Sequence, residues 1–460
     1  MYIDNYNDVE KYLNEVPKFS SKNPFEATKG FYTYLQSIDN SKYSENNLGQ
    51  IIHVAGTNGK GSVCSFMQEI AKSAEKKVGM FISPHLITTR ERFCIDGACV
   101  SESEFVDAFN WVQKCIDAYR KDEELDKDIF FRHENYVPTY FEILFFMGIY
   151  IFINSGIEVC ILETGLGGRL DTTNVIEKPS ICIITEIGLD HMKYLGNTIE
   201  QIAAEKAGII KPGIPVVTCD RKNAATVVIE KKSTECVSDC YKVSENTYKI
   251  NEILKKCIDF SVYSGYYDYG RLVVNTEALY QVENAAIAIK AAEVLQYAPK
   301  DIIEGVRNMR WAGRMEEISD RVYIDGAHNE DGIKAFVETV NNSSVVKAFK
   351  NTKDTDSRCV LVFSAVNDKK YDKMIEMVTG IDVITDFVIT RIPGERGVDI
   401  DELLLQFKKH TGKNIEVFDK ISDAYEYALK HRGDNGIVYI VGSLYLAGVV
   451  EEIRKGNESI

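Results

Sequence analysis

Apolar residues recur along this chain in two rhythms, and the two alternate. Short apolar runs at 51–54, 77–82, 158–163 and 181–187 have the length and bounding turns of buried strands. Between them, apolar positions fall at the i, i+3, i+4 spacing of a helix face, as in Val63, Phe66, Met67, Ile70, Ala71 and Ala74. The same spacing predicts helices over 8–16, 24–37, 102–120, 199–209 and 281–295, and a buried helix over 140–153. Residues 235–276 alternate short β-like runs with polar turns. From about residue 310 the rhythm restarts, with strands at 321–324, 359–363, 387–390, 415–418 and 436–441. Helices at 332–340, 371–378, 400–410, 422–431 and 444–455 separate them. Strands that alternate with helices and end in small or polar residues imply an α/β chain with mainly parallel sheets covered on both faces. Ligands of such sheets sit at the carboxyl ends of the strands. The expected division is a larger N-terminal domain, 1–309, and a smaller Rossmann-like α/β domain, 310–460.

Composition narrows the class. A chain of 460 residues exceeds one ordinary core, and 45% hydrophobic with 27% charged residues is globular usage. A net charge of −15 speaks against nucleic acid or an anionic membrane as main partner. The eleven cysteines form no CxxC pair, and Met1-Tyr2-Ile3-Asp4 opens no signal peptide, so reduced thiols in the cytoplasm are expected. The most apolar run, 140–153, is too short for a bilayer and carries Glu142.

The strand at 51–54 runs into Ala55-Gly56-Thr57-Asn58-Gly59-Lys60-Gly61-Ser62 and then a helix. That order is a P-loop recipe. Glycines let backbone N–H groups approach phosphate oxygens, the helix start adds unpaired donors, Lys60 neutralises terminal phosphates, and the Ser62 hydroxyl reaches a magnesium ion. Gly61, between the lysine and the hydroxyl, departs from the commonest loop. An ordinary strand–helix turn would need three glycines, a lysine and a serine by coincidence.

Four more positions lie at element ends. Ser83 follows the second strand in Ser83-Pro84-His85, Glu142 opens an apolar helix, Asp190-His191 follows the strand at 181–187, and Lys206 lies in the helix at 199–209. Each has a plain structural reading: a loop serine, a helix-start acid, a packing histidine, a surface lysine. Together they matter because phosphoryl transfer needs Mg²⁺, and Mg²⁺ needs oxygen ligands near the loop.

The ordered set GTNGKGS, SPHL, PTYFE, ETGLGGRLDTTN, EIGLDH, EKAGIIKPG, DGAHN and GSLYLAG resembles the folylpolyglutamate synthases of the Mur ligase superfamily. The resemblance implies an ATP-dependent amide ligase. ATP phosphorylates the γ-carboxylate of a reduced folate, or the carboxylate of dihydropteroate, and the amine of L-glutamate displaces phosphate. It implies ATP contacts from Thr57, Asn58, Gly59, Lys60, Gly61, Ser62, Asn284, Arg314, Asp325 and His328, the last three from the second domain. It implies two Mg²⁺ ions, held by Ser62, Ser83 and Glu142 and by His191 and a carbamylated Lys206, with Lys60, His191 and Lys206 as catalytic residues. Leu170, Asp171 and Thr172 match a loop that meets the pterin-bearing substrate, and a monomer is expected. Departures are Tyr280 for a usual His, Ala312 for the Pro of WPGR, Glu330-Asp331 after DGAHN, Arg90-Glu91-Arg92 for Asn-Glu-Arg, and a poor match over 18–49. The alternatives are another Mur-type ligase, disfavoured because no UDP-binding domain precedes residue 50, and a P-loop NTPase switch.

Overall fold

The computed structural model describes residues 2–17, 25–122, 133–351, 356–394 and 396–458. The predicted charge run at 121–127 lies outside them from residue 123 on, as does Pro24 of the predicted helix at 24–37.

The first sheet contains β1 (Gln50–Ala55), β2 (Val78–Phe81), β3 (Phe93–Ile95), β4 (Ala98–Cys99), β5 (Val159–Glu163), β6 (Ile181–Ile184), β7 (Val216–Cys219) and β8 (Cys240–Val243). Its order is β4-β3-β2-β5-β1-β6-β7-β8. From β2 to β8 all pairs are parallel, and β3 and β4 add an antiparallel edge. The strands are short apolar runs because both faces are covered. Ile52 and Val54 of β1 enter one core with the helices Lys60–Ser73 and Tyr280–Val294, while Ile51 enters the opposite core with Phe25–Ser37, Glu102–Lys121 and Tyr140–Ser155.

Three further strands, β9 (Tyr248–Leu254), β10 (Cys257–Val262) and β11 (Leu272–Val274), form a small antiparallel sheet. The last sheet holds β12 (Glu316–Ser319), β13 (Val322–Ile324), β14 (Cys359–Phe363), β15 (Asp386–Thr390), β16 (Asn414–Phe418) and β17 (Ile437–Val441), in the order β12-β13-β17-β14-β15-β16. It is parallel except for β12, with a core on each face. The expected fold class, α/β with two mainly parallel sheets, is the one observed.

Register then places the chemistry. β1 lies between β5 and β6, with Val54 opposite Glu163 and Ala55 opposite Ile184. β2 brings Phe81 opposite Leu162. The carboxyl ends of four strands therefore meet, and the phosphate loop, Ser83, Glu163 and Thr185–Glu186 leave from them together. The predicted strand at 181–187 stops at Ile184 because the next residues bond across to the loop. Thr185 Oγ1 donates to the Asn58 carbonyl at 2.6 Å, and the Glu186 carbonyl accepts from Thr57 N at 2.7 Å.

Glu142 lies elsewhere, which corrects the expectation that it holds magnesium. It is the fourth residue of the capping box Thr139-Tyr140-Phe141-Glu142 that starts the helix Tyr140–Ser155. Its carboxylate is buried, accepting from Thr139 N at 2.7 Å, Thr28 Oγ1 at 2.6 Å and Tyr136 OH at 3.2 Å. Removing it leaves those donors unpaired. Glu142→Ala is expected to lower stability by about 1–3 kcal/mol, read as a drop in the thermal unfolding midpoint. Glu142→Gln, which keeps an acceptor oxygen for these donors, should lose less stability than Glu142→Ala; equal losses in the two variants would contradict the capping role.

Candidate active site

The helix Lys60–Ser73 begins at Gly59, whose φ of +86° is left-handed and open to glycine at little cost. A Cβ there would also lie 2.3 Å from Asn284 Oδ1. The loop surrounds a cavity of about 630 Å³. Into it face the loop residues Gly56–Ser62, then Ser83, Glu163, His191 and Lys206 from the first sheet's carboxyl edge, and Asn284 from the helix Tyr280–Val294. Arg314, just before β12, and Asp325 and His328, just after β13, close it from the third sheet's side.

Two amines converge on one oxygen. Lys60 Nζ donates to the Gly56 carbonyl at 3.0 Å and to the Thr57 carbonyl at 3.1 Å. Lys206 Nζ, buried, donates to the same Gly56 carbonyl at 2.6 Å. Burial, and then the Lys60 charge, lower the Lys206 pKa to about 7, against the pull of Asp190, Asp171 and Glu163. Lys206 therefore gives up its proton more readily than the surface lysine of the plain reading would.

Glu163 is the buried acid that faces the loop. Its Oε2 accepts from Ser83 N at 3.1 Å, and burial raises its pKa while Lys60, that hydrogen bond, Arg314 and Arg92 pull it down. Sequence reasoning missed it in favour of Glu142. The local signal was present, since Glu163 opens ETGLGGRLD at a strand end, where this sheet class presents its ligands.

The hydroxyl of Ser62 accepts from Gln281 Nε2 at 3.1 Å, and Gln281 Oε1 accepts from Asn284 Nδ2 at 3.0 Å. Gly61 has its reason here. A Cβ on it would lie 2.8 Å from Cζ2 of Trp311, so the off-pattern glycine admits an indole rather than a phosphate. Close by, Ser65 Oγ donates to the Arg310 carbonyl at 2.9 Å, fastening the crossing segment to the phosphate helix. Tyr280, the departure from His, donates its hydroxyl to Asp325 Oδ2 at 2.6 Å, so it ties the two halves of the site. Burial raises the Asp325 pKa, opposed by Arg314 and that hydrogen bond. His328 is lowered to about 4 by burial and by Lys369, so it is a neutral imidazole whose Nδ1 lies 2.8 Å from the Gly326 carbonyl.

Leu170, Asp171 and Thr172 do not line the cavity. Leu170 is exposed; Asp171 is buried, accepting from Leu166 N at 2.8 Å and Thr173 N at 3.0 Å. Because Leu166 and Gly167 do line the cavity, Asp171 shapes its rim from behind.

Among the described residues no three His, Cys, Asp or Glu side chains form a metal cluster. No helix among them is long and apolar enough to cross a membrane. What the cavity offers is a cradle for a polyphosphate, with cations on one wall and carboxylate and hydroxyl oxygens beside them.

Two family models match the chain: the Mur ligase middle domain over residues 141–292, and the Mur ligase, glutamate ligase domain, over 313–444. Fold and site thus define a Mur-type ligase. The chain is 34% identical to the dihydrofolate synthase/folylpolyglutamate synthase of Bacillus subtilis over 413 residues, 88% of this chain and 89% of that one. A folylpolyglutamate synthase structure from Thermotoga maritima aligns with TM-score 0.78 at 29% identity, covering 98% and 97% of the two chains. The E. coli FolC structure in complex with DHPP and ADP shares the fold, with TM-score 0.78 at 23% identity over 99% of each chain. The chain belongs to the folylpolyglutamate synthase/dihydrofolate synthase family.

The packing at Gly61 is open to test. Gly61→Ala should raise the KM for ATP by about ten-fold, the Cβ displacing either the loop or the indole. Adding Trp311→Ala should recover part of that loss. Additive losses in the double variant would show that the indole is not what excludes a side chain at 61.

Proposed function

We propose that this chain is an ATP-dependent, ADP-forming ligase that joins L-glutamate to the γ-carboxylate of a folate through an acyl phosphate. The observation that carries the reading is the pair of amines at Gly56 facing the buried carboxylate of Glu163, in a cavity walled by both sheets. The dual name of the Bacillus subtilis relative supports dihydropteroate as a second acceptor. Strand membership supports a boundary near 309/310, with 1–309 as the ATP-binding unit and 310–460 as the glutamate ligase unit: the first two sheets end at Val274 and the third begins at Glu316. One chain supplies both walls, so a monomer suffices.

The residues take these roles. Backbone N–H groups at Gly59–Ser62 and the Lys60 ammonium hold the β- and γ-phosphates, and Arg314 approaches from the opposite wall. Thr57 and Asn58 brace the loop: Thr57 Oγ1 donates to the Gly188 carbonyl at 3.2 Å, and Asn58 accepts from Asn329 at 3.0 Å. Asn284, Asp325 and His328 stand where the rest of the nucleotide lies. Leu170, with Thr172 beside it, presents an apolar side chain to the pterin-bearing substrate, on a loop whose shape Asp171 maintains through its bonds to Leu166 N and Thr173 N.

The donor set fits Mg²⁺, which takes one or two carboxylate or hydroxyl ligands from protein and the rest from phosphates and water. Ser62, Ser83 and Glu163 would hold one ion. His191 and Lys206, as its carbamate, would hold a second. Bound there, Mg²⁺ neutralises charge on the transferring phosphoryl group. For Lys206 the local physics favours modification: a neutral amine attacks CO₂, releases a proton, and becomes an anionic carbamate beside Lys60, turning repulsion into attraction.

The folate γ-carboxylate attacks the γ-phosphorus, ADP leaves, and the glutamate amine displaces phosphate from the acyl carbon. ADP release should require L-glutamate and a reduced folate together; turnover indifferent to both would refute the reading. Enzyme stripped of CO₂ should lose most activity and regain it on adding bicarbonate, faster as pH rises through about 7, where Lys206 deprotonates. Lys206→Ala should be nearly inactive and partly rescued by short-chain carboxylates. Full activity without rescue would rule out the carbamate.

A further inference from the structure

Beside the cavity, one buried carboxylate joins three segments of the chain. Asp190 follows β6 in the loop that carries His191. Its Oδ1 accepts from His191 N at 2.7 Å and from Lys369 Nζ at 2.5 Å. Its Oδ2 accepts from Asn329 Nδ2 at 3.2 Å, and His328 Nε2 lies 3.9 Å away. Lys369 and Asn329 belong to the half built on the third sheet, so the pair bridges the two halves, and both charged side chains are at most 9% exposed.

Each partner is itself held. Lys369 sits in the loop after β14, where its N–H bonds to the Val366 carbonyl at 3.2 Å and Val366 bridges to Gly397. Asn329 caps the helix Glu330–Asn342, its Oδ1 accepting from Gly332 N at 2.8 Å. The amide of Asn329 also donates to Asn58 Oδ1 in the phosphate loop at 3.0 Å. At the other end, His191 has φ +50°, an uncommon conformation for a residue with a side chain, and the Asp190 carboxylate binds its N–H. A docked second half therefore bears at once on the loop at Asn58 and on the backbone of His191.

We propose that Asp190, Asn329 and Lys369 form a closure latch, a set of positioning residues that hold the second half over the nucleotide and fix the Asn58 and His191 segments while they are engaged. The proposal rests on the reading of the cavity as an ATP site. A buried ion pair joined to a helix cap is suited to this, because it is strong only in one arrangement and each charge is poorly placed when its partner leaves. Nucleotide that touches both walls binds the closed form, so its apparent affinity falls in proportion as the closed fraction falls.

The test compares wild type, Lys369→Met, Lys369→Arg, Asp190→Asn and the Asp190→Asn/Lys369→Met double variant. Three readouts apply: KM and kcat for ATP, binding of a non-hydrolysable ATP analogue, and the radius of gyration by small-angle scattering with the analogue present. Lys369→Met should raise the ATP KM and weaken the analogue by about ten-fold or more, with kcat largely recovered at saturating nucleotide. It should also enlarge the radius of gyration. Lys369→Arg should restore most of the affinity, and the two single losses should not add in the double variant. If Lys369→Met alone does not fold, the double variant, which leaves no unpaired buried charge, gives the same comparison. A fall in kcat at unchanged KM, additive single losses, or unchanged affinity in the double variant would overturn the latch. Wild-type protein that fails to bind the analogue would overturn the reading beneath it, and the latch with it.

Discussion

Two lysine amines meeting at one carbonyl oxygen set the terms for everything else in this molecule. The Gly56 oxygen can accept both Lys60 and Lys206, but it cannot neutralise either, and little water reaches Lys206 to help. The arrangement is satisfied only by anions. Glu163, Asp190 and Asp171 supply part of the counter-charge. The remainder is the electrostatic demand that a triphosphate answers. A chain with net charge −15 thus places Lys60, Lys206 and Arg314 around one cavity, where they favour an anionic ligand against the overall field.

The third sheet, β12–β17, completes what the first begins. Its parallel strands end toward the same cavity, and they contribute a different kind of group: Arg314 as a long cation, Asp325 held by Tyr280, and Asn329 capping a helix while touching the loop. Trp311, on the crossing segment, is packed on the phosphate helix at Gly61. Neither half has a complete site. Catalysis by phosphoryl transfer depends on position and charge more than on covalent chemistry, so a site split across two halves can exclude water at the moment it becomes competent.

Much of this was legible in the residues. Short apolar runs and the 3.6-residue spacing marked most strands and helices, and 359–363 and 400–410 were marked to the residue. Unassigned by those patterns were β3, β4, β7 and β12 and the helices Met192–Leu195, Ala224–Glu235, Pro299–Asn308 and Ser344–Lys350. The strands among them have two to four residues, too few for a period to show, and the last helix has seven. Glu142 and Glu163 show the harder limit. Each stands at the end of an apolar run, and only the non-local pairing of β1 with β5 puts Glu163 opposite Val54 and beside the loop. The sign that Glu142 was a cap lay in Thr139 three residues earlier. Gly61 was recognised as unusual, but its partner, Trp311, is 250 residues away, and no local pattern reports such a contact.

In the proposed mechanism both walls of this cavity serve one activated carboxylate. A folate carrying oxygen-18 in its γ-carboxylate tests it most directly, with the released phosphate read by mass spectrometry after turnover with ATP and L-glutamate. An acyl phosphate breaks between carbon and labelled oxygen when the amine attacks, so one labelled oxygen should appear in each phosphate formed. Phosphate free of label, with glutamyl product still accumulating, would mean that the carboxylate is never phosphorylated and that the two walls do not act on it as described.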